Sequence, residues 1–372
     1  MKLKLSLVLL LTGGLLLTSC DTDSEITDPA GETVPPEIQL CVADSFGIET
    51  GDSLHMIGSI DDFCYHPNGS VVILDRAAMK VRVIPSQGEP FFISGEGEGP
   101  GEMLFPQSIG VLPDGTILLA DEMKRAVMSF DPSGSYLGDY FTTARYVPYR
   151  MYPVDSRSIA GSMLDLEMGD QIFFSFYIGR FDADSQPSIT YSTLQWEWPA
   201  PQLYSDIQRV DFTAGVDGRV FLTLDNTSYQ ISVFSPDGEE LCCISNPHVE
   251  RIPKTLEEIE EEIDYFESWA REDQGYTGGY EPSPYHPLIS MTGVDSQGNL
   301  WVERFGNEDV HQFDVWDDSG NLLYTASLPG YGGMELMFSV DQYGILAAVV
   351  DPDHYPQILK LEQDTAVGAE EE

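Results

Sequence analysis

The sequence has little positive charge. Its 372 residues include 18 Lys and Arg against 62 Asp and Glu, which gives a formal net charge of −44 at pH 7. Because so negative a field repels phosphate backbones, nucleic acid is excluded as a partner. The chain is nevertheless 42% hydrophobic and 11% aromatic, which is too apolar for a disordered acidic protein. This length and composition allow two average domains or one large all-β domain.

Several catalytic motifs are also absent. The sequence contains no G-x-S-x-G, no H-E-x-x-H and no C-x-x-C. These absences argue against a serine hydrolase of the nucleophile-elbow type, a zinc protease and a dithiol redox enzyme. No apolar run after residue 17 approaches the about 20 residues of a membrane-spanning helix. We therefore expect no membrane span.

The first twenty residues have the pattern of an export signal. A short segment with two lysines precedes an apolar stretch over residues 5–17. The sequence Leu17-Thr18-Ser19-Cys20 resembles the lipobox of bacterial lipoproteins. This resemblance implies a signal peptide at 1–19 and a lipidated Cys20 that anchors the protein to the bacterial cell envelope, on its periplasmic or cell-surface side. A plain signal peptide cleaved near Ser19 and a short membrane anchor are the alternatives.

Acidic segments occur at both ends of the mature sequence. Residues 21–36 contain three Asp, two Glu and three Pro but almost no large apolar residue. Because such a segment cannot bury enough surface to become ordered, residues 20–36 are interpreted as a flexible acidic tether. Residues 364–372 are interpreted as a disordered acidic tail.

Turn signals recur along the chain at a regular period. A Gly-containing turn precedes a strand-like apolar run at six places, and the turn glycines are Gly69, Gly115, Gly161, Gly218, Gly298 and Gly344. Three of the five intervals are 46 residues, and the others are 57 and 80. In four repeats a second turn follows 19 to 22 residues later, which indicates two hairpins and four antiparallel strands. This period favours the blades of a β-propeller over a β-sandwich with coincidental turns.

Residues 95–134 resemble an NHL repeat. They contain a Gly-rich stretch ending in GPGE, an aromatic residue and Pro, a strand, an Asp-Gly turn, an apolar strand ending in Asp, and a strand ending in Phe-Asp. Over residues 37–363 the chain resembles the six-bladed, NHL-like propeller lipoproteins of bacteria. The resemblance implies an all-β, six-bladed β-propeller. Because the last repeat has only three strands, we expect the N-terminal strand at 37–43 to complete that blade and close the ring.

The interval of 80 residues contains an insertion at about 246–288, between the fourth and fifth repeats. Residues 254–272 place apolar side chains at helical spacing with acidic residues on the other face. Thr255 and Glu258 fit a capping box. We expect a helix packed on the side or rim of the propeller, and a partner-binding helix is the alternative.

Function on a propeller usually lies around its channel, at the loops that enter the inner strands and at the turns on the same face. Cationic residues collect at these positions, and a locally positive rim of this kind can capture an anionic small ligand such as a carboxylate-bearing sugar or a peptide terminus. The alternative is that charges collect at exposed turns without a binding role. We therefore expect a monomeric, non-enzymatic protein that binds such a ligand or an envelope protein and needs no cofactor. The predicted ligand residues are Arg76, Lys124, Arg125, Arg150, Tyr152, Arg304 and His311.

A metal-dependent lyase or hydrolase acting in the channel is the second functional hypothesis, because related six-bladed propellers are lactonases with a channel metal. Asp61, Asp62, His286 and Glu335 would be the ligands of one divalent ion such as Ca²⁺ or Zn²⁺. These residues come from separate repeats, and no spacing fixes their geometry. No catalytic residue follows from the sequence.

The cysteines allow one disulfide hypothesis. Since export permits disulfides, Cys41 and Cys64 could join the closing strand to the first blade. Adjacent Cys242 and Cys243 point to opposite faces of a strand, so they are expected to be packed thiols.

Overall fold

The computed structural model describes residues 35–269, 279–307 and 309–364. The predicted signal peptide, the lipidation site Cys20 and nearly all of the predicted tether and tail lie outside the described residues. The described chain begins with strand β1 (Glu37–Phe46). Almost all of the remaining regular structure is also β-strand.

Four sheets each contain four antiparallel strands in chain order. The first two consist of β2 (Asp62–Tyr65), β3 (Val71–Asp75), β4 (Lys80–Ile84) and β5 (Phe91–Gly95), then β6 (Pro106–Val111), β7 (Ile117–Asp121), β8 (Ala126–Phe130) and β9 (Tyr136–Thr142). The next two consist of β10 (Met151–Pro153), β11 (Ile159–Met168), β12 (Ile172–Phe181) and β13 (Ile189–Glu197), then β14 (Asp211–Ala214), β15 (Val220–Thr223), β16 (Gln230–Phe234) and β17 (Glu240–Ser245). These hairpin-connected sheets match the predicted repeat of four strands.

The last strands of the chain form one closed eight-stranded sheet together with β1. They are β18 (Ile289–Val294), β19 (Leu300–Arg304), β20 (Val310–Trp316), β21 (Leu322–Pro329), β22 (Leu336–Asp341), β23 (Gly344–Val349) and β24 (Gln357–Gln363). Strands β18 to β21 are antiparallel neighbours, and so are β22, β23, β24 and β1. The sequence predicted six separate blades, so the joining of these two groups is a difference from that prediction.

Two contacts account for this joined sheet. Strand β1 pairs antiparallel with β24, as the sequence predicted, but residues Glu37–Gln39 also pair parallel with Thr325–Ser327 of β21. Strands β18 and β22 meet in a single parallel bridge between Gly293 and Val340. A Cβ atom at Gly293 would lie 1.8 Å from the Val340 carbonyl oxygen, so only glycine permits this close approach.

The first strands of the sheets surround one central cavity. Strands β2, β6, β10, β14, β18 and β22 all contribute residues to its wall. Between neighbouring sheets, apolar side chains form buried layers; for example, Val72 and Leu74 of β3 pack with Ile117 and Leu119 of β7. Four-stranded antiparallel sheets around one channel constitute a β-propeller-like fold, which confirms the predicted fold class at that level.

In two of the sheets, an aspartate at the end of the second strand holds the loop that precedes the first strand. Asp75 of β3 and Asp121 of β7 are both 0% exposed. Asp121 accepts hydrogen bonds from the backbone N–H groups of Leu104, Phe105 and Lys124. The recurring strand-end Asp in the sequence is therefore structural, because its carboxylate satisfies loop amides that the sheets leave unpaired.

Within the described residues two helices interrupt the strands, α1 (Leu203–Arg209) and α2 (Leu256–Trp269). The predicted capping box of α2 is present, since Glu258 accepts the Thr255 backbone N–H at 2.7 Å and Thr255 Oγ1 accepts the Glu258 N–H at 3.2 Å. Helix α1 was not predicted. Neither helix in the described part of the chain is long and apolar enough to cross a membrane.

Helix α2 contacts the rest of the fold through aromatic rings. Phe266 stacks on Tyr280 with ring centroids 4.1 Å apart and lies 4.9 Å from the ring of Tyr204 in α1. The Tyr280 hydroxyl donates to Glu262 at 2.6 Å. Leu256, which the helical periodicity placed on the packed face, is instead 80% exposed because it lies in the first turn, ahead of these contacts.

Candidate channel site

The channel has a wide and a narrow part. The wide part has a volume of about 340 Å³ and lies at the starts of the first strands, where Asp61, Gln107, Arg150 and Ser290 contribute to its wall. The narrow part, of about 80 Å³, lies at the ends of the same strands and includes Asp341. Only the wide part has the size of a small-molecule site.

The guanidinium group of Arg150 lines the wide cavity. Its Nη1 atom donates to Asp211 Oδ1 at 2.7 Å, while 55% of the Arg150 side chain stays exposed. The Asp211 carboxylate is buried and raises the pKa of Arg150, so the guanidinium is always charged. The Tyr152 hydroxyl also lies within hydrogen-bonding reach of Arg150. The exposed part of this cation can receive an acceptor atom of a ligand.

Backbone amides hold Asp211 in position. Its Oδ2 atom accepts the Met291 N–H at 2.7 Å and its Oδ1 atom accepts the Phe212 N–H at 3.0 Å. The Ser290 hydroxyl donates to Oδ2 at 3.2 Å. This carboxylate joins β14 to β18 and fixes the position of Arg150.

Asp62 occupies the equivalent first position of β2. Its carboxylate accepts the N–H groups of Phe63 at 2.9 Å and of Ile109, in β6, at 2.8 Å. Burial raises the pKa of Asp62 to about 6, and the two amides and Arg150 oppose that rise. Asp62 is partly buried and lines both parts of the channel. Among the described residues it forms no ion pair of its own, so the cavity wall carries a charge without a direct partner.

Glu303 and His311 form a pair at the cavity wall. His311 Nδ1 lies 2.8 Å from Glu303 Oε1, and His311 Nε2 lies 3.2 Å from the Met334 carbonyl oxygen. Because a carbonyl only accepts, Nε2 carries a proton and the pair shares a further proton between Nδ1 and the carboxylate. Burial raises the pKa of Glu303, and His311 opposes the rise. Of the two Glu303 carboxylate oxygens, only Oε1 has a hydrogen-bond partner among the described residues. Glu303 is 4% exposed and lines the cavity.

Aromatic rings complete the wall. Tyr149, Tyr152, Phe305 and Phe338 all line the wide cavity. Phe338 packs edge-on against His311 at 5.1 Å, and Tyr152 packs edge-on against Phe212 at 5.3 Å. Phe305 is 42% exposed. Burial raises the pKa of Tyr152 to about 12, so its hydroxyl is a neutral donor at physiological pH.

The structure brings only some of the predicted ligand residues together. Arg150 and Tyr152 line the wide cavity, whereas His311 lies behind Glu303. Arg76 is bound to Asp61 at 2.7 Å, and Arg304 lies 3.0 Å from buried Asp314. Lys124 donates to a backbone carbonyl, and Arg125 lies in an exposed turn with φ 54°.

The expected positive rim is therefore largely neutralised. Arg76, Arg150 and Arg304 each have an acidic partner that the sequence did not reveal. The wall of the wide cavity includes Asp61, Asp62 and Glu303 but a single guanidinium. The cavity is consequently a mixed environment of charges and rings.

The predicted metal ligands are separated. Asp61 bonds to Arg76, and His286 lies 3.3 Å from Glu258 of α2. The Glu335 backbone binds Asp351, and its side chain is exposed outside the cavity. Within residues 35–269, 279–307 and 309–364 no group of three or more His, Cys, Asp or Glu side chains could hold a metal ion. The four residues do not form one site, because Asp61 and Asp62 line the wide cavity whereas His286 and Glu335 do not.

Cys41 and Cys64 are free thiols in the structure. Cys41 is exposed on β1, an outer strand, whereas Cys64 lies in β2 at the channel wall. The predicted disulfide is absent, and the two cysteines belong to different sheets, the closed eight-stranded sheet for β1 and the first four-stranded sheet for β2. Cys242 and Cys243 are also free thiols.

Three residues of the cavity and its support were not predicted from the sequence, namely Asp211, Glu303 and Tyr149. A signal for Asp211 was present, since Asp62-Phe63 and Asp211-Phe212 are the same dipeptide at the same point of two repeats. Glu303 replaces the usual strand-end Asp of a repeat, and that substitution was visible too. Tyr149 lies in an irregular loop that has no such marker.

No family model matches the chain, and no curated protein matches it either. Among solved structures, a putative exported protein from Bacteroides fragilis is similar with 13% identity and a TM-score of 0.50, over 88% of this chain and 99% of that one. A gluconolactonase from Xanthomonas campestris is similar with 14% identity and a TM-score of 0.45, over 90% and 99%. Virginiamycin B lyase from Staphylococcus aureus is similar with 13% identity and a TM-score of 0.43, over 87% and 99%. At these identities the similarity concerns the fold alone, and that fold is a β-propeller.

Proposed function

We propose that the chain is a lipid-anchored, six-bladed β-propeller of the bacterial cell envelope that binds a small ligand at the wide mouth of its channel without transforming it. The observation that carries the binding proposal is the geometry of Arg150. Buried Asp211 fixes the guanidinium, and 55% of the Arg150 side chain stays exposed in a cavity of about 340 Å³. A fixed, half-exposed guanidinium is a ready acceptor-binding group because it loses little freedom on binding.

The six-blade proposal is supported by the core. Six clusters of buried apolar side chains lie between successive groups of four strands, and the last of them joins β23 and β24 to β2 and β3. The eight-stranded sheet has one such cluster between its two halves. The direct connection of β18 to β22 is one bridge, which fits two adjacent blades that touch at the channel.

The lipid anchor is supported by the lipobox resemblance at residues 17–20. The experiment is expression of the full chain and of Cys20→Ser in a bacterial host that processes lipoproteins, followed by detergent phase partitioning. We expect the parent in the detergent phase and the variant in the aqueous phase. Equal partitioning of both proteins would reject the anchor.

The binding proposal is tested with the domain from residue 35 onward. Thermal unfolding is followed as short carboxylates, from acetate to hexanoate, are titrated in. A ligand that binds only the folded state raises the melting temperature with concentration. We expect stabilisation that Arg150→Gln abolishes and that Arg157→Gln, at an exposed arginine outside the cavity, retains. Equal responses of the two variants would reject Arg150 as the binding group.

A lyase or hydrolase acting in the channel is a second candidate, and the Asp62 carboxyl favours it. A carboxyl with a pKa of about 6 beside a guanidinium can accept or donate a proton near neutral pH. Turnover of lactones or of elimination substrates that is lost in Asp62→Asn but kept in Asp318→Asn would favour this candidate. Absence of turnover with retained binding supports the non-enzymatic proposal.

A further inference from the structure

The ions around the wide cavity do not balance. Asp61 is paired with Arg76, and Arg150 is paired with Asp211. Oε1 of Glu303 lies 2.8 Å from Nδ1 of His311. Asp62 is left without an ion-pair partner within the described chain. Because a buried carboxylate that lacks an ion pair is costly even when two backbone amides donate to it, a cationic group of a ligand would be stabilised beside Asp62.

The second acidic side chain of the wall also has capacity for a donor. Among the described residues, the Glu303 carboxylate makes one hydrogen bond, to His311, and it uses only Oε1. Glu303 is 4% exposed and lines the cavity, so Oε2 has access to the cavity and to little bulk solvent. A carboxylate oxygen accepts hydrogen bonds from an ammonium group, and such charge-assisted bonds are the stronger ones.

The rings of the wall favour the same kind of group. Tyr149, Tyr152 and Phe338 line the cavity together with Asp62 and Glu303. The faces of aromatic rings attract cations, most strongly where water is excluded. Acidic side chains and rings together form the usual surroundings of a bound organic ammonium group.

Arg150 imposes the opposite requirement. Its exposed guanidinium lines the same cavity and needs an acceptor, best supplied by a carboxylate. A simple amine would leave the exposed part of the Arg150 guanidinium without an acceptor and would be repelled by it. A simple carboxylate would leave Asp62 without a cationic partner and Oε2 of Glu303 without a donor. The volume of about 340 Å³ lies at the lower end of the range for ligand sites and restricts the ligand to a small molecule.

We infer that the ligand is a small zwitterion of the amino-acid or short-peptide class, with its carboxylate on Arg150 and its protonated amine on Asp62 and Glu303. This inference rests on the proposed binding function and assigns the chemical class of the ligand. It adds Asp62 and Glu303 to the binding residues, in the role of amine acceptors.

The test compares three probe series with matched carbon skeletons. These are the ω-amino acids from glycine to 6-aminohexanoate, the corresponding carboxylates without the amine, and the corresponding amines without the carboxylate. Isothermal titration and thermal unfolding are measured on the domain from residue 35 onward. We expect at least one amino acid to bind at least tenfold more tightly than both of its single-charge counterparts.

Variants separate the two charges. Glu303→Gln and Asp62→Asn should each reduce the advantage of the amino acid over its matched carboxylate by about tenfold, whereas Arg157→Gln should leave it unchanged. Near-ultraviolet circular dichroism of each variant reports whether the fold is retained. Should Asp62→Asn fail to fold, Glu303→Gln alone decides, because its Oε1 contact to His311 can be kept by an amide.

The outcomes distinguish failure of the inference from failure of the binding proposal. Carboxylates that bind through Arg150 as tightly as the amino acids would overturn the zwitterion and leave the channel-mouth binder intact. Amino acids that bind equally well to Glu303→Gln and Asp62→Asn would overturn it as well. Absence of binding by all three series would overturn both.

Discussion

Arg150 and Asp211 form an ion pair in which one partner faces the cavity and the other is buried. Nη1 and Oδ1 are 2.7 Å apart, and the two side chains are 55% and 5% exposed. The carboxylate also accepts backbone hydrogen bonds from two strands. Asp211 is therefore part of the structure, whereas Arg150 is available to a ligand.

Substitution of the two partners should consequently have unequal effects on stability. Arg150→Gln removes a half-exposed cation and leaves the buried Asp211 carboxylate with its backbone N–H donors, so we expect a loss of about 1–2 kcal/mol in the free energy of unfolding. Asp211→Asn replaces an acceptor of several backbone N–H groups, so we expect a loss of about 2–4 kcal/mol. Equilibrium unfolding in guanidinium chloride measures both. A larger loss for Arg150→Gln would contradict this assignment of roles.

Removal of the acidic partner should lower the free energy of unfolding still more at the buried pair of Asp75 and Arg82. Arg82 is 2% exposed, donates to the carbonyl oxygens of Leu54 and Met56, and lies 3.4 Å from Asp75. Asp75→Ala leaves this cation unpaired inside the fold, so we expect a loss of about 3–5 kcal/mol. The matched variant Asp121→Ala loses a similar set of loop hydrogen bonds and no buried arginine partner, so it should cost less. Equal losses in urea unfolding would show that the Arg82 pairing contributes nothing.

Asp341 should give the stability a pH dependence. Burial raises its pKa from 3.8 to about 6, because the narrow part of the channel disfavours the charged form. The folded state therefore binds the proton more tightly than the unfolded state. The resulting stabilisation is fully present below pH 4 and is lost as the pH rises through about 6.

Melting temperatures of the parent and of Asp341→Asn between pH 4 and 8 measure this contribution. Between pH 4 and 7 the melting temperature of Asp341→Asn should fall less than that of the parent. The control Asp318→Asn, at an exposed turn, should follow the parent. Asp62 titrates in the same range, so part of the decline should remain. Parallel curves for the parent and Asp341→Asn would refute the prediction.

Strand β1 should be required for a closed fold. Residues Leu40–Phe46 pair with β24, and without them β24 would be an unpaired edge. We expect a chain that begins at residue 47 to aggregate or to unfold at a markedly lower temperature than one that begins at residue 35. Size-exclusion chromatography and thermal unfolding compare the two. Identical behaviour would show that β1 does not close the structure.

The repeat of turn glycines predicted much of this fold. Glycine and Asp-Gly turns mark hairpins because tight turns need positive φ, and Gly69, Gly115, Gly218 and Gly298 all have φ between 83° and 89°. The period fixed the number of strands per sheet and the need for a closing strand. It could not reveal the parallel pairing of β1 with β21, because that contact depends on the relative position of two sheets.

The site was predictable only in part. The positions of Arg150 and Tyr152 at the channel followed from the repeat, since the loop before an inner strand lies at the channel mouth. Their electrostatic surroundings did not follow, because Asp211 is 61 residues from Arg150 in sequence and meets it only in the folded chain. The same holds for Arg304 and Asp314, whose pairing removes one of the cations of the expected rim.

The most direct test of the account is a crystal structure of the domain with the tightest-binding amino acid of the probe series. The account predicts density in the wide cavity, with the carboxylate on Arg150 and the amine on Asp62 and Glu303. Density for the bound ligand elsewhere, or none in a cavity open to solvent in the lattice, would contradict the claim that the channel mouth is the binding site.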